Sequence, residues 1–375
     1  MKALFISNDP TIFDETSAAR MRMRAYATAI GELHIVSPAG EEILYKQEGN
    51  LFLHPVYSWK IFRIRMLTMK AHALLLEHDI DVISAQDPFE QGLVALHAIA
   101  GTRVKLHIQV HTDFLSPWFV KGGGRLAFLN RRRRSIAEKV LLEADGIRVV
   151  SDRVKTSLVA QYGSRIPEPS VIPIAIDTTV PAPGPLPAHQ FKFSLIAVGR
   201  LEPEKRIQDI LAALNDVKGL YPMTGLFIVG SGNDRKKLEK IVKDFDLTDN
   251  VIFLGERPDA RSLMASAQTF VQASAYEGYG RTLVEAALAK VPIITTDTGI
   301  VGDIFKNREQ VLAVPVADPM AISRAIAEII ENNILRQELP IAAETAAYAH
   351  LASVGDLAAR VSEDLAATEQ RRLSA

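Results

Sequence analysis

The chain has 375 residues, 48% of them hydrophobic, with 43 basic and 44 acidic side chains and no cysteine. At roughly 100 to 200 residues per domain, this length predicts two domains, each with its own core. The even charge balance argues against a nucleic-acid binder, and the missing cysteines exclude a disulfide framework, a thiolate metal site and a cysteine nucleophile.

Met1 and Lys2 pass directly into the apolar run 3–6 without a leader pattern, and no apolar run approaches the ~20 residues that span a bilayer. A cytoplasmic chain is therefore expected. Short apolar runs then alternate with amphipathic stretches, the pattern of α/β domains built on parallel sheets. Strands are predicted at 3–7, 33–36, 51–56, 82–85, 104–110, 147–151 and 171–175. Two basic stretches interrupt this half. In 59–70, a helix would place Trp59, Phe62, Met66 and Met69 on one face and Lys60, Arg63 and Lys70 on another. In 121–139, Lys121, Arg125, the run Arg131 to Arg134 and Lys139 face only Glu138. Basic amphipathic helices bearing Trp and Phe lie in the interface of anionic membranes, so both stretches are candidates for peripheral membrane contact. The plainer alternatives are a core-packing helix for the first and a solvated face for the second.

The run 181–187 has four prolines in seven positions and cannot continue a helix or a central strand. It predicts a linker over 181–190, separating a first domain, 1–180, from a second, 191–353. Strands in the second are predicted at 194–198, 226–229, 251–254, 270–273, 292–295 and 311–314, with helix from about 318 onward. Two doubly wound, Rossmann-like domains would face each other across a cleft, where such sheets place ligands at the carboxyl ends of their strands.

The stretch from Ser274 to Glu285 carries the most chemistry. A strand ends, Gly278 and Gly280 allow a tight turn, and a helix begins near Arg281, aiming free N–H groups and a positive dipole end at any phosphate. Glu277 and Glu285 bracket this turn, and a carboxylate can accept from two hydroxyls of a ribose or sugar. Earlier, Gly199-Arg200-Leu201-Glu202-Pro203-Glu204-Lys205 follows a buried strand, which suits Arg200 and Lys205 to a phosphate. Gly230-Ser231-Gly232 lacks the third glycine of a dinucleotide fingerprint. The Asp-x-Asp triplets 79–81 and 244–246 lie away from the expected ligand end, so no metal is expected there.

With these blocks in order, the sequence resembles the retaining nucleotide-sugar glycosyltransferases of family 4, whose fold is GT-B. The resemblance rests on Glu277-Gly278-Tyr279-Gly280-Arg281-Thr282-Leu283-Val284-Glu285, on 197–206, on Val229 to Gly232, on Leu254-Gly255, on Thr296 to Gly299 and on Val171 to Asp177. It implies metal-independent transfer of a hexose-type sugar, with retention, from a UDP- or GDP-sugar to a saccharide or lipid-linked saccharide in cell-envelope or polysaccharide biosynthesis, without a cofactor. It assigns Glu277, His111, Arg200 and Lys205 to catalysis. The nucleotide would lie against Arg200, Lys205, Gly230, Gly280, Arg281, Thr282, Leu283 and Glu285, with Asp87 and Ser17 as acceptor contacts. The C-terminal segment, 354–375, is expected to pack back on the first domain. A non-catalytic nucleotide-sugar-binding subunit, or an epimerase or hydrolase on the same fold, are the alternatives. The paired glycines usual after the family's first strand are absent, with Thr16 to Ala19 in their place.

Overall fold

Two parallel sheets, each covered by helices, organise the chain, and the computed structural model describes residues 1–121 and 124–371. The first unit comprises Met1–Ala175 with the returning segment that begins at Asp356; the second is Ile176–Gly355. The division falls at Ala175, so the proline-rich run belongs to the second unit.

The first unit runs β1 (Lys2–Ile6), α1 (Ala18–Ile30), β2 (Glu32–Pro38), β3 (Lys46–Glu48), β4 (Leu51–Val56), α2 (Arg63–Glu77), β5 (Val82–Ala85), α3 (Glu90–Ala98), β6 (Lys105–Val110), α4 (Pro117–Val120), α5 (Gly124–Leu142), β7 (Gly146–Val149), α6 (Asp152–Tyr162) and β8 (Ser170–Val171). The sheet order is β3-β4-β2-β1-β5-β6-β7-β8. All pairings are parallel except that of β3 with β4. The central strand β1 reads as an unbroken apolar run because helices cover both faces: Ala3, Leu4, Phe5 and Ile6 are all fully buried.

Three features depart from the sequence expectation. The hairpin strand β3 carries only Lys-Gln-Glu, and its sheet edge gives it no apolar face to reveal it. The strand expected at 171–175 ends at Val171, since Pro173 cannot donate to a ladder. Arg148 takes over there, its Nε and Nη2 donating to the carbonyls of Ile172 and Pro173 at 3.1 and 2.9 Å. Finally, α2 begins at Arg63, so Trp59 lies before the helix.

The second unit runs β9 (Phe193–Val198), α7 (Ile207–Val217), β10 (Thr224–Val229), α8 (Arg235–Asp244), β11 (Val251–Gly255), α9 (Ala260–Ser266), β12 (Thr269–Gln272), α10 (Arg281–Leu288), β13 (Ile293–Thr296), β14 (Leu312–Val314), α11 (Pro319–Glu331) and α12 (Asn333–Val354). Its wholly parallel order, β11-β10-β9-β12-β13-β14, reverses direction at β9. That reversal is the topological switch point where doubly wound sheets open a ligand crevice.

The last helix, α13 (Leu357–Gln370), returns to the first unit. Asp356 caps its start, accepting from the Ala358 and Ala359 amides at 2.9 and 3.1 Å. Val361, Leu365 and Thr368 are its buried face, and Val361 and Leu365 join the core of Phe5, Met23 and Leu33. A Cβ on Gly146 would sit 2.0 Å from Thr368 Oγ1, so β7 admits the helix only because it begins with glycine. Residues 372–375, the end of the segment expected to return, lie outside the described residues.

Candidate functional site

At the switch point of the second unit, a pocket of about 590 Å³ opens over the strand ends, lined by turns after β9, β10 and β11 and by the start of α10. Arg200, Gly230, Arg281, Thr282 and Glu285 are among its walls. Gly230 has φ 135°, and a Cβ there would lie 1.9 Å from the Gly199 carbonyl oxygen. Only glycine lets the two turns touch and leave the pocket floor clear. Gly280, with φ 95°, caps α10. A helix start leaves its first amides without intrahelical acceptors. Of the expected contacts, Gly280 and Leu283 are not among the walls; the Leu283 side chain is buried and its N–H donates to Gly280 O at 2.9 Å.

Glu285 is buried on the inner side of α10, with Arg281 Nε 2.9 Å from its Oε1. Burial raises its pKa, while the charges of Arg281 and Arg261 pull it back. Thr282 Oγ1 donates to Gln272 Oε1 at 2.7 Å, fixing the helix start on β12. Arg200 is largely exposed, its Nη2 donating to Glu204 Oε1 at 2.9 Å.

Lys205 and Glu277 are not among the pocket walls. They meet each other instead: Lys205 Nζ donates to Glu277 Oε1 at 2.5 Å, and Ser274 Oγ donates to the same oxygen at 2.8 Å. The Ala275 amide donates to the Glu204 carbonyl at 2.7 Å, so the turn that carries Lys205 and the one that carries Glu277 are laced together. Chemistry-bearing residues 72 positions apart thus form one partly buried pair.

The pocket also contains residues outside the sequence expectation. Glu256, Arg257 and Arg261 line it. Arg257 is held by Asp259 at 2.6 Å, and Arg261 Nη1 reaches Asp177 Oδ2 at 2.7 Å. The glycine at 255 that ends β11 was the signal for that turn, but nothing local marks which side chains of 256–261 face inward.

In the first unit, His111 stands just beyond the carboxyl end of β6. Arg148 Nη1 donates to Gln109 Oε1 at 3.3 Å, which identifies that atom as the amide oxygen. His111 Nε2 must therefore donate to it, at 3.1 Å, leaving Nδ1 as an acceptor. Gln109 Nε2 donates to Ser84 Oγ at 3.0 Å, Ser84 bonds His107 Nδ1 at 2.8 Å, and His107 Nε2 meets Asp364 Oδ2 on α13 at 2.9 Å. Burial, with the nearby charges of Arg148 and Arg22, pushes the His111 pKa down to about 3, so its imidazole is neutral.

Of the two expected acceptor contacts, Ser17 is the N-cap of α1 and Asp87 binds amides leading into α3. Ser17 Oγ accepts from the Arg20 amide at 3.0 Å and donates to Thr11 O at 2.6 Å. Asp87 Oδ1 accepts from the amides of Phe89 and Gln91 at 2.7 and 3.3 Å, while burial raises its pKa to about 6. Within the Asp-x-Asp triplets, Asp81 Oδ2 accepts from the Lys2 amide at 2.7 Å, and Asp244 pairs with Lys240 at 2.6 Å.

The face of α2 against the sheet is Leu67, Ala71, Leu74 and Leu75. Trp59, Phe62, Met66 and Met69, the face singled out in the sequence, are all exposed, and Ile61 joins them at 83%. On α5, Phe128 is 58% exposed, with Leu126 and Leu129 beside it in sequence. Arg133 is paired with Glu90 at 3.0 Å. Helix α3 packs against both α2 and α5, so these helices share one side of the sheet. Residues 122 and 123 of the second basic stretch lie outside the described residues. Among the described residues, no helix is long and apolar enough to cross a membrane.

Comparison with known proteins accounts for both units. A family model described as glycosyl transferases group 1 matches residues 186–346, and one described as Glycosyltransferase Family 4 matches residues 22–180. The lipopolysaccharide core biosynthesis glycosyltransferase LpsE of Rhizobium meliloti is 27% identical over 145 residues, 39% of this chain and 42% of that protein. The glycogen synthase of Mycobacterium tuberculosis is 26% identical over 209 residues, 54% of this chain and 50% of that one. The chain thus spans about half the length of these curated relatives. The phosphatidyl-myo-inositol mannosyltransferase of Mycobacterium leprae is 26% identical over 70% of this chain and 67% of its own. Among solved structures, the sucrose-phosphate synthase of Thermosynechococcus elongatus superposes with a TM-score of 0.78 at 17% identity, covering 97% of this chain and 98% of that one. Anabaena HepE in complex with UDP-glucose gives 0.76 at 18%, covering 97% and 100%. These two share the GT-B fold with this chain.

Proposed function

From the premise that this chain belongs to the group 1 glycosyltransferases of family 4, we propose that it moves a hexose-type sugar, with retention, from a nucleotide diphosphate sugar to a saccharide or lipid-linked saccharide. The observation that carries this reading is the Lys205–Glu277 pair beside a pocket walled by Arg200, Glu285 and the start of α10. A fixed cation suits the charge that develops on a departing diphosphate, and a carboxylate suits a sugar hydroxyl.

Arg200 and Lys205 would receive the diphosphate. Negative charge grows on its terminal oxygen as the glycosidic bond breaks, so fixed cations favour the transition state over the ground state. Glu285 would accept from the ribose diol, with the first amides of α10 supporting the phosphates. Glu277 would face the sugar, held in place by Lys205 and Ser274. The neutral His111, with its acceptor Nδ1, suits a hydroxyl of the transferred sugar. In front-face transfer the bond from the anomeric carbon to the phosphate oxygen breaks with its electron pair leaving on the phosphate. The acceptor oxygen bonds the same face of that carbon and its proton passes to the departing phosphate. This route uses no metal ion and no cofactor.

The exposed apolar and basic side of α2 and α5 supports contact with an anionic membrane surface, consistent with a lipid-linked acceptor at the cytoplasmic face. The HepE structure with UDP-glucose makes a UDP-sugar the first donor to test, with GDP-sugars next.

The experiment is to incubate the full chain with UDP-, GDP- and ADP-sugars and a lipid extract, following product by mass spectrometry. Sugar transfer with retained anomeric configuration is expected. Binding without turnover would indicate a non-catalytic subunit, and an isomerised or hydrolysed donor would indicate the epimerase or hydrolase reading.

A further inference from the structure

Far from the ligand end of the first sheet, Glu32 and His34 lie at the amino end of β2, and His78 lies at the end of α2 as its C-cap residue. One potential ligand atom from each of these three side chains falls within 4.8 Å of the other two. The spacing has a simple local origin. Residues 32 and 34 of a strand share one face, and α2 delivers residue 78 to that face immediately before the chain enters β5.

We propose that Glu32, His34 and His78 form a binding site for a divalent transition-metal ion of the zinc class, which braces the end of α2 against β2. Two imidazole nitrogens and one carboxylate oxygen are the donor set such ions take, with a fourth position left to water.

The geometry favours an ion over a plain hydrogen-bonded cluster in three ways. His34 Nε2 already stands 3.0 Å from Glu32 Oε1. Two ligands on a tetrahedral ion with bonds of about 2.0 Å lie roughly 3.4 Å apart, so a small outward shift admits the metal. The other His34 nitrogen, Nδ1, is 2.9 Å from His54 Nε2. A ligating histidine fixes its ring by donating its second N–H to a neighbour, and His54 stands where that neighbour belongs. The His34 ring is further gripped by stacking on Phe52, with centroids 4.5 Å apart. Third, the carboxyl end of α2 points its partial negative charge at the site, which favours a cation there. Lys2 Nζ, 3.5 Å from Glu32 Oε1, is the cation drawn to that carboxylate in the structure.

Position assigns the ion a structural task. All first-sheet strands but β3 run parallel, so Glu32 and His34 sit at the end opposite His111. The proposed ion takes no part in sugar transfer, and this inference stands or falls independently of the function proposed above. It would stiffen the helix that follows Trp59 and Phe62 and carries Met66 and Met69 on its exposed face.

The test uses the full chain stripped with a chelator. Zinc chloride is titrated calorimetrically, and cobalt chloride is followed by visible absorption, where tetrahedral coordination gives intense bands. One equivalent of Zn²⁺ should bind and raise the melting temperature. His78→Ala and Glu32→Gln, both partly exposed positions, should each weaken Zn²⁺ binding at least a hundredfold and abolish the cobalt bands. His97→Ala, an exposed histidine on α3, serves as control and should change neither. Absence of stoichiometric uptake by the folded wild-type chain, or uptake unchanged by both ligand variants, would overturn the proposal.

Discussion

His107 and Asp364 are 257 positions apart in the chain, yet His107 Nε2 and Asp364 Oδ2 lie 2.9 Å apart with both side chains nearly closed to solvent. The contact joins the C-terminal helix to β6, and through Ser84 and Gln109 it continues to His111. The helix is therefore part of what orients the candidate sugar contact.

Asp364→Ala leaves His107 without its buried partner. The loss is expected to be about 2 kcal/mol, typical of a hydrogen bond to a charged group, read from urea unfolding. Burial alone would raise the Asp364 pKa, but His107, Ser170 and Arg148 together hold it below the ordinary 3.8. A carboxylate depressed in the folded state contributes stability above its unfolded pKa and loses it as pH falls through the folded value. The variant should therefore show a flatter stability profile below about pH 4.

His111 works in the same direction by a different route. Its folded pKa of about 3 lies below the unfolded 6.5. Between those values the unfolded chain binds a proton that the folded chain refuses, so stability is complete above 6.5 and declines as pH falls toward 3. His111→Gln should flatten that decline in unfolding titrations and lower transfer; an unchanged profile would contradict the neutral, partly buried imidazole.

Lys205→Ala and Glu277→Gln are expected to reduce kcat/KM by about a hundred- to a thousandfold while leaving the fold intact by circular dichroism. That is the scale seen when one preorganised charge at a developing anion is removed. If both variants kept full transfer with a suitable donor, the site assignment would be wrong.

Gly230→Ala forces a Cβ to within 1.9 Å of the Gly199 carbonyl at a φ of 135°. Strain of this kind costs about 2–3 kcal/mol, and the turn can relieve it only by moving into the pocket. Melting temperature and nucleotide affinity, the latter followed by UDP titration, should fall together.

Exposed side chains can be removed without a core penalty. Replacing Trp59, Ile61 and Phe62 by serine should leave the melting temperature within a degree or two of wild type. Sedimentation with anionic liposomes should drop sharply, and wild-type binding should weaken with added salt. Failure of the wild-type chain to sediment at low ionic strength would remove the membrane reading.

Much of this was legible in the residues themselves. Unbroken apolar runs such as 3–6 and 226–229 mark strands covered on both faces, because a polar group buried there must find a partner. The glycines at 230 and 280, with charged residues at set distances from strand ends, located the pocket, because backbone conformation and charge placement near a strand end are local properties. Tertiary structure alone decided the rest. It paired Lys205 with Glu277 outside the pocket walls, used the Ser17 hydroxyl to cap α1 and tied an oxygen of Asp87 to amides leading into α3. It also separated the two apolar sets of 59–77, turning Leu67 and Leu74 inward and Trp59 and Met66 outward, a choice that periodicity leaves open. The chain from His111 to Asp364, and the grouping of Glu32, His34 and His78, depend on which strand lies beside which. That order is set by long-range packing, and no local pattern in the sequence encodes it.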